Sequence, residues 1–273
     1  MRVEPCCQAL LGVLLPQIDP QRRGLCIDVG VGTFAFYCQQ FAEMGYPTWA
    51  VEPLPAPELK RLAARLNIRL WELCLSNREG TQTLYVGRFA GLFNRNFSSL
   101  SPGWFGASAR PKEVATQTLT GLLAPENPEQ VTCLKLDIEG WEWPVMQQLP
   151  ALDPAHLPQI LMFEYGGGAS KAKGKQGWSA DFYQQTLNCL ETLRDCGYGQ
   201  SIRIDFAPES REKVFNLQEI GALDEVFAEN CVYGNIISLR PPHAVDPRIV
   251  REVCQPYDAM TLVERIVNRW VAG

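Results

Sequence analysis

The feature that most constrains this sequence is a short apolar run that meets a carboxylate and then two closely spaced glycines, Leu25-Cys-Ile-Asp-Val-Gly-Val-Gly32. Five residues this apolar read as a strand covered on both faces. The glycines let the chain turn sharply into a helix expected from about Ala35 to Glu43. Strand, glycine turn and helix in that order open a parallel α/β sheet, and the rest of the chain keeps the alternation. Thr48–Val51, Arg69–Cys74, Val131–Leu136, Gln159–Phe163, Ser201–Phe206 and Asn235–Leu239 read as strands. Pro57–Leu66, Trp141–Leu149 and Ser179–Cys196 read as helices, and Gln82–Val86 as a short strand or hairpin. Gly87 to Pro111 shows no period and reads as a long functional loop.

The chain has 273 residues, 46% of them apolar and 20% charged, which suits one large globular domain with appendages. Its net charge of −5 argues against nucleic-acid binding by bulk charge. No apolar run is long enough to span a bilayer. Gln8–Leu15 reads as a buried amphipathic helix rather than a signal peptide, because Arg2 and Glu4 precede it and no small-residue cleavage site follows. The ten cysteines form no C-x-x-C pair, and Cys26, Cys74, Cys133 and Cys231 lie in apolar runs, so the cysteines read as reduced and structural. A cytoplasmic setting is expected. The expected division is an N-terminal helix packed on the core (1–23), an α/β domain (24–240) and a C-terminal helical extension (241–273). In that extension Met260, Val263, Ile266, Val267 and Trp270 recur at helical spacing, for packing on the domain's own flank or against another subunit.

The spacing Gly30-Val-Gly32-Thr-Phe-Ala35 also fits a dinucleotide turn, so the sign of the ligand must come from charge. A carboxylate at Asp28 would repel a pyrophosphate by roughly 4 kcal/mol at 4 Å and an effective dielectric near 20. It suits a ligand that carries positive charge, such as S-adenosylmethionine. Glu52 ends the second strand, where it can accept ribose hydroxyls of either cofactor. Lys135-Leu-Asp137-Ile-Glu139-Gly140-Trp-Glu142 runs another strand into clustered carboxylates, and strand alternation puts Lys135, Asp137 and Glu139 on one side.

With these residues in view, the chain resembles the FkbM-type family of S-adenosylmethionine-dependent methyltransferases. The likeness rests on Cys26–Gly32, Val51-Glu-Pro53, Leu75-Ser-Asn-Arg-Glu-Gly80, Asn96-Phe-Ser-Ser-Leu100, Leu134–Gly140 and Phe163-Glu164, over about residues 24–240. It implies an α/β, Rossmann-like, doubly wound and mostly parallel seven-stranded sheet with helices on both faces and an antiparallel last strand. It implies S-adenosylmethionine as cofactor, held by Asp28, Gly30, Val31, Gly32, Thr33, Glu52, Ser76, Asn77 and Asp137. It also implies methylation of a hydroxyl on a small molecule such as a sugar or natural product. Thr118-Leu-Thr120 departs from the family, which usually has an aspartate after the Thr-Leu pair.

A hydroxyl nucleophile must lose its proton to a base within hydrogen-bond reach. Only two histidines exist, and the family fold puts both His156 and His243 at the end of the sheet away from the ligand. The catalytic candidates are therefore Asp137, Glu139 and Glu164, with Glu139 the preferred base and a helix-starting acid as its other reading. A divalent metal bridging Asp137 and Glu164 stays open, but no dedicated metal-ligand set stands out, so no metal is expected. Lys171, Lys173 and Lys175 sit in a glycine-rich segment after Glu164, either a lid that attracts an anionic acceptor or a solvated linker. Trp104, Phe105 and Trp178 are candidates to hold an acceptor ring. Two other readings stay open: a nicotinamide-dependent oxidoreductase, and a catalytically silent scaffold.

Overall fold

A computed structural model describes residues 1–89, 92–93, 95–104, 107–166, 180–207, 211–228 and 231–258. Helix α1 (Val3–Ile18) leads into strand β1 (Leu25–Val29), helix α2 (Phe36–Glu43), strand β2 (Thr48–Val51), helix α3 (Pro57–Leu66) and strand β3 (Arg69–Trp71). Strands β4 (Cys74–Leu75), β5 (Gly80–Phe89), β6 (Leu92–Phe93) and β7 (Ala107–Gln117) follow, then helix α4 (Leu119–Leu123). The chain returns through β8 (Val131–Leu136), α5 (Glu142–Met146), β9 (Ile160–Gly166), α6 (Ala180–Asp195), β10 (Gln200–Asp205), β11 (Lys213–Asn216), β12 (Tyr233–Leu239) and α7 (Pro247–Cys254).

The main sheet has eight strands in the order β11-β10-β12-β9-β8-β1-β2-β3. From β9 to β3 every pairing is parallel, whereas β12 runs antiparallel to both β9 and β10. The expected seven strands therefore gain an eighth: β11 pairs antiparallel along β10. The large sheet is mixed. Its central strands are apolar throughout because both faces are covered; every residue of β1 and of β8 is buried. On one face Leu10, Leu11, Leu14 and Leu15 of α1, Tyr37 and Phe41 of α2, and Val250 of α7 pack against Cys26, Cys133, Met162 and Ile237. On the other, α4, α5 and α6 cover Ile27, Leu134, Leu136, Leu161 and Phe163.

A second sheet, ordered β4-β7-β5-β6, occupies the stretch expected to be a long loop and is a correction to that reading. Strand β7 is polar, contains Pro111 and buries only alternate residues near its end, Val114 and Thr116, so its period is faint. The single strand expected over Arg69–Cys74 divides at Glu72: β3 belongs to the main sheet and β4 to the small one.

The amphipathic helix expected at Gln8–Leu15 is longer, Val3–Ile18, and it packs against the segment around α7. The Arg2 N–H donates to the Tyr257 carbonyl at 2.9 Å, and Cys6 and Cys254 bring their Sγ atoms within 2.8 Å inside the core. The ten cysteines are all free thiols. Residues 259–273 lie outside the described residues, and so does the expectation about Met260 to Trp270. No helix among the described residues is long and apolar enough to cross a membrane.

If α1 is integral to the core, Leu11→Ala should destabilise the protein by about 2–5 kcal/mol, the usual cost of emptying a fully buried leucine site. Urea unfolding measures it; a loss well under 1 kcal/mol would make α1 a detachable appendage.

Candidate functional site

The carboxyl ends of the parallel strands hold the site because one face of the sheet changes character there. Along that face the apolar row Cys26, Cys133, Met162 and Ile237 gives way to Asp28, Lys135, Glu164 and Asn235, each two residues further on in β1, β8 and β9 and two residues earlier in antiparallel β12. Asp28 stands opposite Lys135 in the strand register, and Glu164 stands opposite Asn235.

Lys135 is 2% exposed and forms the hub of this polar row. Its Nζ lies 3.1 Å from Asp28 Oδ1 and 3.4 Å from Asp137 Oδ2, and donates to the Gly30 carbonyl at 3.1 Å. Burial alone would lower its pKa, but the Asp137 and Asp28 carboxylates outweigh burial and hold the ammonium above its ordinary value. The expectation that Asp28 faces a cationic ligand is corrected here. Asp28 is 1% exposed, with one oxygen against Lys135 and the other accepting the Cys38 N–H at 3.0 Å. It braces the start of α2 beneath the glycine turn.

The turn itself fits tightly. Gly30 and Gly32 both have positive φ, +76° and +61°. A Cβ on Gly30 would stand 1.7 Å from the Asp137 carbonyl oxygen, so only glycine lets β1 and the Asp137 loop touch there. Val31 is buried in a cluster with Ala35, Ala50 and Leu59. Glu52 accepts the Gly32 N–H at 3.1 Å and the Leu54 N–H at 2.9 Å, which fixes its carboxylate beside the turn with acceptor capacity to spare. Burial raises its pKa.

Three carboxylates gather on the open side of Lys135: oxygens of Asp137, Glu139 and Glu164 all lie within 4.8 Å of one another. Glu139 holds a left-handed backbone, φ +56°, immediately before Gly140. Burial, then the neighbouring Asp137 and Glu142, push Glu139 well above the usual carboxylate range. Burial, then Asp137 and Glu139, do the same to Glu164. The group can hold positive charge, from an organic cation or a metal ion, or it can hold protons. The three catalytic candidates are thus brought together.

Other expectations fare differently. Ser76 is fully enclosed; its Oγ accepts from Gln82 Nε2 at 2.6 Å and Trp141 Nε1 at 3.1 Å, so it ties the small sheet to α5, and Asn77 beside it is exposed. His156 Nε2 lies 3.0 Å from the Pro128 carbonyl, ahead of β8, and His243 follows β12, both at the opposite end of the sheet. Phe105, Trp178, Lys171, Lys173 and Lys175 lie outside the described residues. Trp104 is buried and packs edge-on to Phe182, ring centroids 4.9 Å apart, against Gly140.

Two site residues carry roles that sequence reasoning did not assign, although the segment that holds them stood out as a motif. Asn96 Oδ1 accepts the Thr33 N–H at 2.9 Å, and Ser99 Oγ donates to the Glu139 carbonyl at 2.6 Å. One short segment of the small-sheet insertion thereby clamps both the glycine turn and the carboxylate loop. Glu142 belongs to the acidic run read from the sequence, which assigned it no role of its own. It is 7% exposed, accepts the Ile138 N–H at 2.9 Å, and burial pushes its pKa up to about 7.

Glu142 yields a pH test. Its folded pKa exceeds the unfolded one, so between about pH 4.5 and 7 the native state keeps a proton that the unfolded chain has released. Stability therefore falls as pH rises through that window. Glu142→Gln cannot titrate, so from pH 4 to pH 8 it should gain up to about 3 kcal/mol relative to wild type, read by denaturant unfolding at both pH values. Parallel stability curves for the two proteins would contradict the assignment.

Comparison with known proteins supplies the class. No curated protein matches the chain. Among solved structures, the methyltransferase domain of bacterial CtHen1-C is 11% identical, with 86% of this chain and 98% of that one covered and a TM-score of 0.37. The model of the methyltransferase FkbM domain matches residues 24–199, which include the glycine turn, Glu52, the small-sheet clamp and all three clustered carboxylates. With that match over more than half its length, the chain belongs to the FkbM methyltransferase family.

Proposed function

We propose that this protein transfers the methyl group of S-adenosylmethionine to a hydroxyl oxygen of a small molecule such as a sugar or natural product. The observation that carries the reading is the surplus of carboxylates at the open end of Lys135. The one Lys135 ammonium is shared between Asp28 and Asp137, so among the described residues Asp137, Glu139 and Glu164 crowd around a single cation that Asp28 already engages. Two carboxylate charges at 4 Å repel by roughly 4 kcal/mol at an effective dielectric near 20. A sulfonium with an ammonium relieves that repulsion, whereas a dinucleotide pyrophosphate adds to it. Asp137, Glu139 and Glu164, rather than Asp28, are therefore the groups that favour a positively charged ligand.

Bound S-adenosylmethionine would supply the electrophilic methyl group. Glu52 is set to accept ribose hydroxyls beside the turn, and Asp137 to meet the cationic part of the cofactor. Glu139 is the preferred base, with Glu164 second. In the free protein both are biased toward the protonated form. A neighbouring cation favours the ionised form, so cofactor binding would prepare the base that then takes the acceptor's proton. Methyl transfer is an in-line displacement, and holding the acceptor oxygen against the methyl group supplies much of the acceleration. The backbone clamps from Asn96 and Ser99 keep the turn and the carboxylate loop in fixed relation for that purpose.

S-adenosylhomocysteine should raise the melting temperature of the full chain, and NAD and NADP should leave it unchanged. Glu52→Ala should weaken cofactor binding by about 1.5–3 kcal/mol, the scale of hydrogen bonds to a charged group. Calorimetry decides it. Stabilisation by NAD alone would favour an oxidoreductase, and unchanged affinity in a folded Glu52→Ala protein would remove Glu52 from the site. Cofactor binding without turnover on broad acceptor panels would favour a silent scaffold.

A further inference from the structure

The polar row at the carboxyl ends has a floor, and part of that floor comes from outside residues 24–199, the span the family model matches. Glu4 stands in the first turn of α1 and reaches across to two other elements. Its Oε2 accepts from the Tyr37 hydroxyl of α2 at 2.5 Å, and its Oε1 accepts from Asn235 Nδ2 of β12 at 3.2 Å. The Tyr37 ring lies beneath the Lys135 ammonium, 5.2 Å from its centroid. Asn235 is the register partner of Glu164. Tyr37 and Asn235 are 3% and 1% exposed, so neither can exchange Glu4 for solvent without opening the core.

An acid in the first turn of a helix usually serves the helix dipole from the surface. Glu4 instead turns inward, where burial and then the Asp137 carboxylate raise its pKa while Tyr37 and Lys135 oppose the rise. The groups that face it are Tyr37 from α2, Lys135 from β8, Asp137 just beyond β8, and the Cys7 thiol on its own helix.

We propose that Glu4 is a positioning residue of the methyl-transfer site: through Tyr37 it holds the Lys135 ammonium in place, and through Asn235 it braces the strand beside Glu164. The chain from Glu4 to the reacting groups is then Glu4–Tyr37–Lys135–Asp137 on one side and Glu4–Asn235, next to Glu164, on the other. The part of this proposal that concerns cofactor affinity rests on the S-adenosylmethionine reading above; the part that concerns Lys135 does not.

Two variants of the full chain separate charge from hydrogen bonding. Glu4→Ala leaves the Tyr37 hydroxyl and the Asn235 amide without their partner. Glu4→Gln can still accept from Tyr37, and its amide can donate to Asn235 Oδ1, which has no hydrogen-bond partner among the described residues. Lys135 is the one buried lysine among the described residues, so its ammonium should give a slowly exchanging signal of its own in a 1H–15N spectrum. That signal should move or broaden in Glu4→Ala, and in Glu4→Gln it should persist at a shifted position. S-adenosylhomocysteine affinity should fall roughly ten-fold or more in Glu4→Ala, on the scale of a lost charge-assisted contact. In Glu4→Gln the melting temperature should hold while the pH dependence of that affinity changes. An unmoved Lys135 signal in both variants overturns the proposal, whatever ligand the wild type binds. So does an S-adenosylhomocysteine affinity and pH profile in both variants within about two-fold of a wild type that binds it. If Glu4→Ala does not fold, Glu4→Gln decides alone by the same two readings. A wild type that does not bind S-adenosylhomocysteine removes the cofactor reading and leaves the Lys135 signal to judge Glu4.

Discussion

A single buried lysine governs the arrangement of this molecule's carboxyl-end face. Lys135 is held in the middle of a sheet where every neighbouring position on its strand is apolar or enclosed. Such a charge is tolerable only with partners, and breaking a buried pair by removing one side typically costs about 3–5 kcal/mol. Asp28, Asp137 and the Gly30 carbonyl satisfy it from three directions, and the Tyr37 ring covers the fourth. Those partners come from β1, the glycine turn, the loop after β8 and helix α2. The lysine thus sets the mutual positions of the segments that any ligand at this end of the sheet must meet.

Around that hub the site has a polar floor and an acidic roof with different electrostatic duties. Below, Asp28 and Lys135 neutralise each other and leave no net charge to offer a ligand. Above, Asp137, Glu139 and Glu164 share too small a space to be ionised together at no cost. The left-handed backbone at Glu139 keeps that crowding in place, since the Ser99 hydroxyl holds its carbonyl and Gly140 leaves room for Trp104 and Phe182. A fold that keeps like charges close in this way favours cations or protons in the free space.

Much of this was legible in the residues, for identifiable reasons. β1, β2, α3 and β8 fall at their expected bounds because each is a clean apolar run, or a helical period, closed by glycine, proline or polar residues. The three carboxylates were found because strand alternation and strand ends are local properties. The direction of Asp28 was not legible: whether a strand-end acid faces a ligand or a neighbouring lysine depends on the register of β1 against β8, which lie side by side although residues 30–130 separate them in sequence. The small sheet was hidden because β7 is polar, carries a proline and, over Pro111–Gln117, buries only Val114 and Thr116. Glu4 was hidden because its partners lie 33 and 231 positions away.

The two-point clamp from Asn96 and Ser99 has a consequence for how such a chain can diversify. The segment between β6 and β7 meets the glycine turn through Asn96 and the carboxylate loop through Ser99 and Trp104, while β5 and β7 of the small sheet pair chiefly with one another. Residues elsewhere on that sheet, including exposed Lys112 and Glu113, are therefore mechanically insulated from the charged hub. Their exposed face can drift in composition and length without disturbing Lys135 or its partners. The insertion is a replaceable fascia on a fixed frame, and it is there, rather than in the parallel sheet, that descendants of this sequence have room to acquire new tastes.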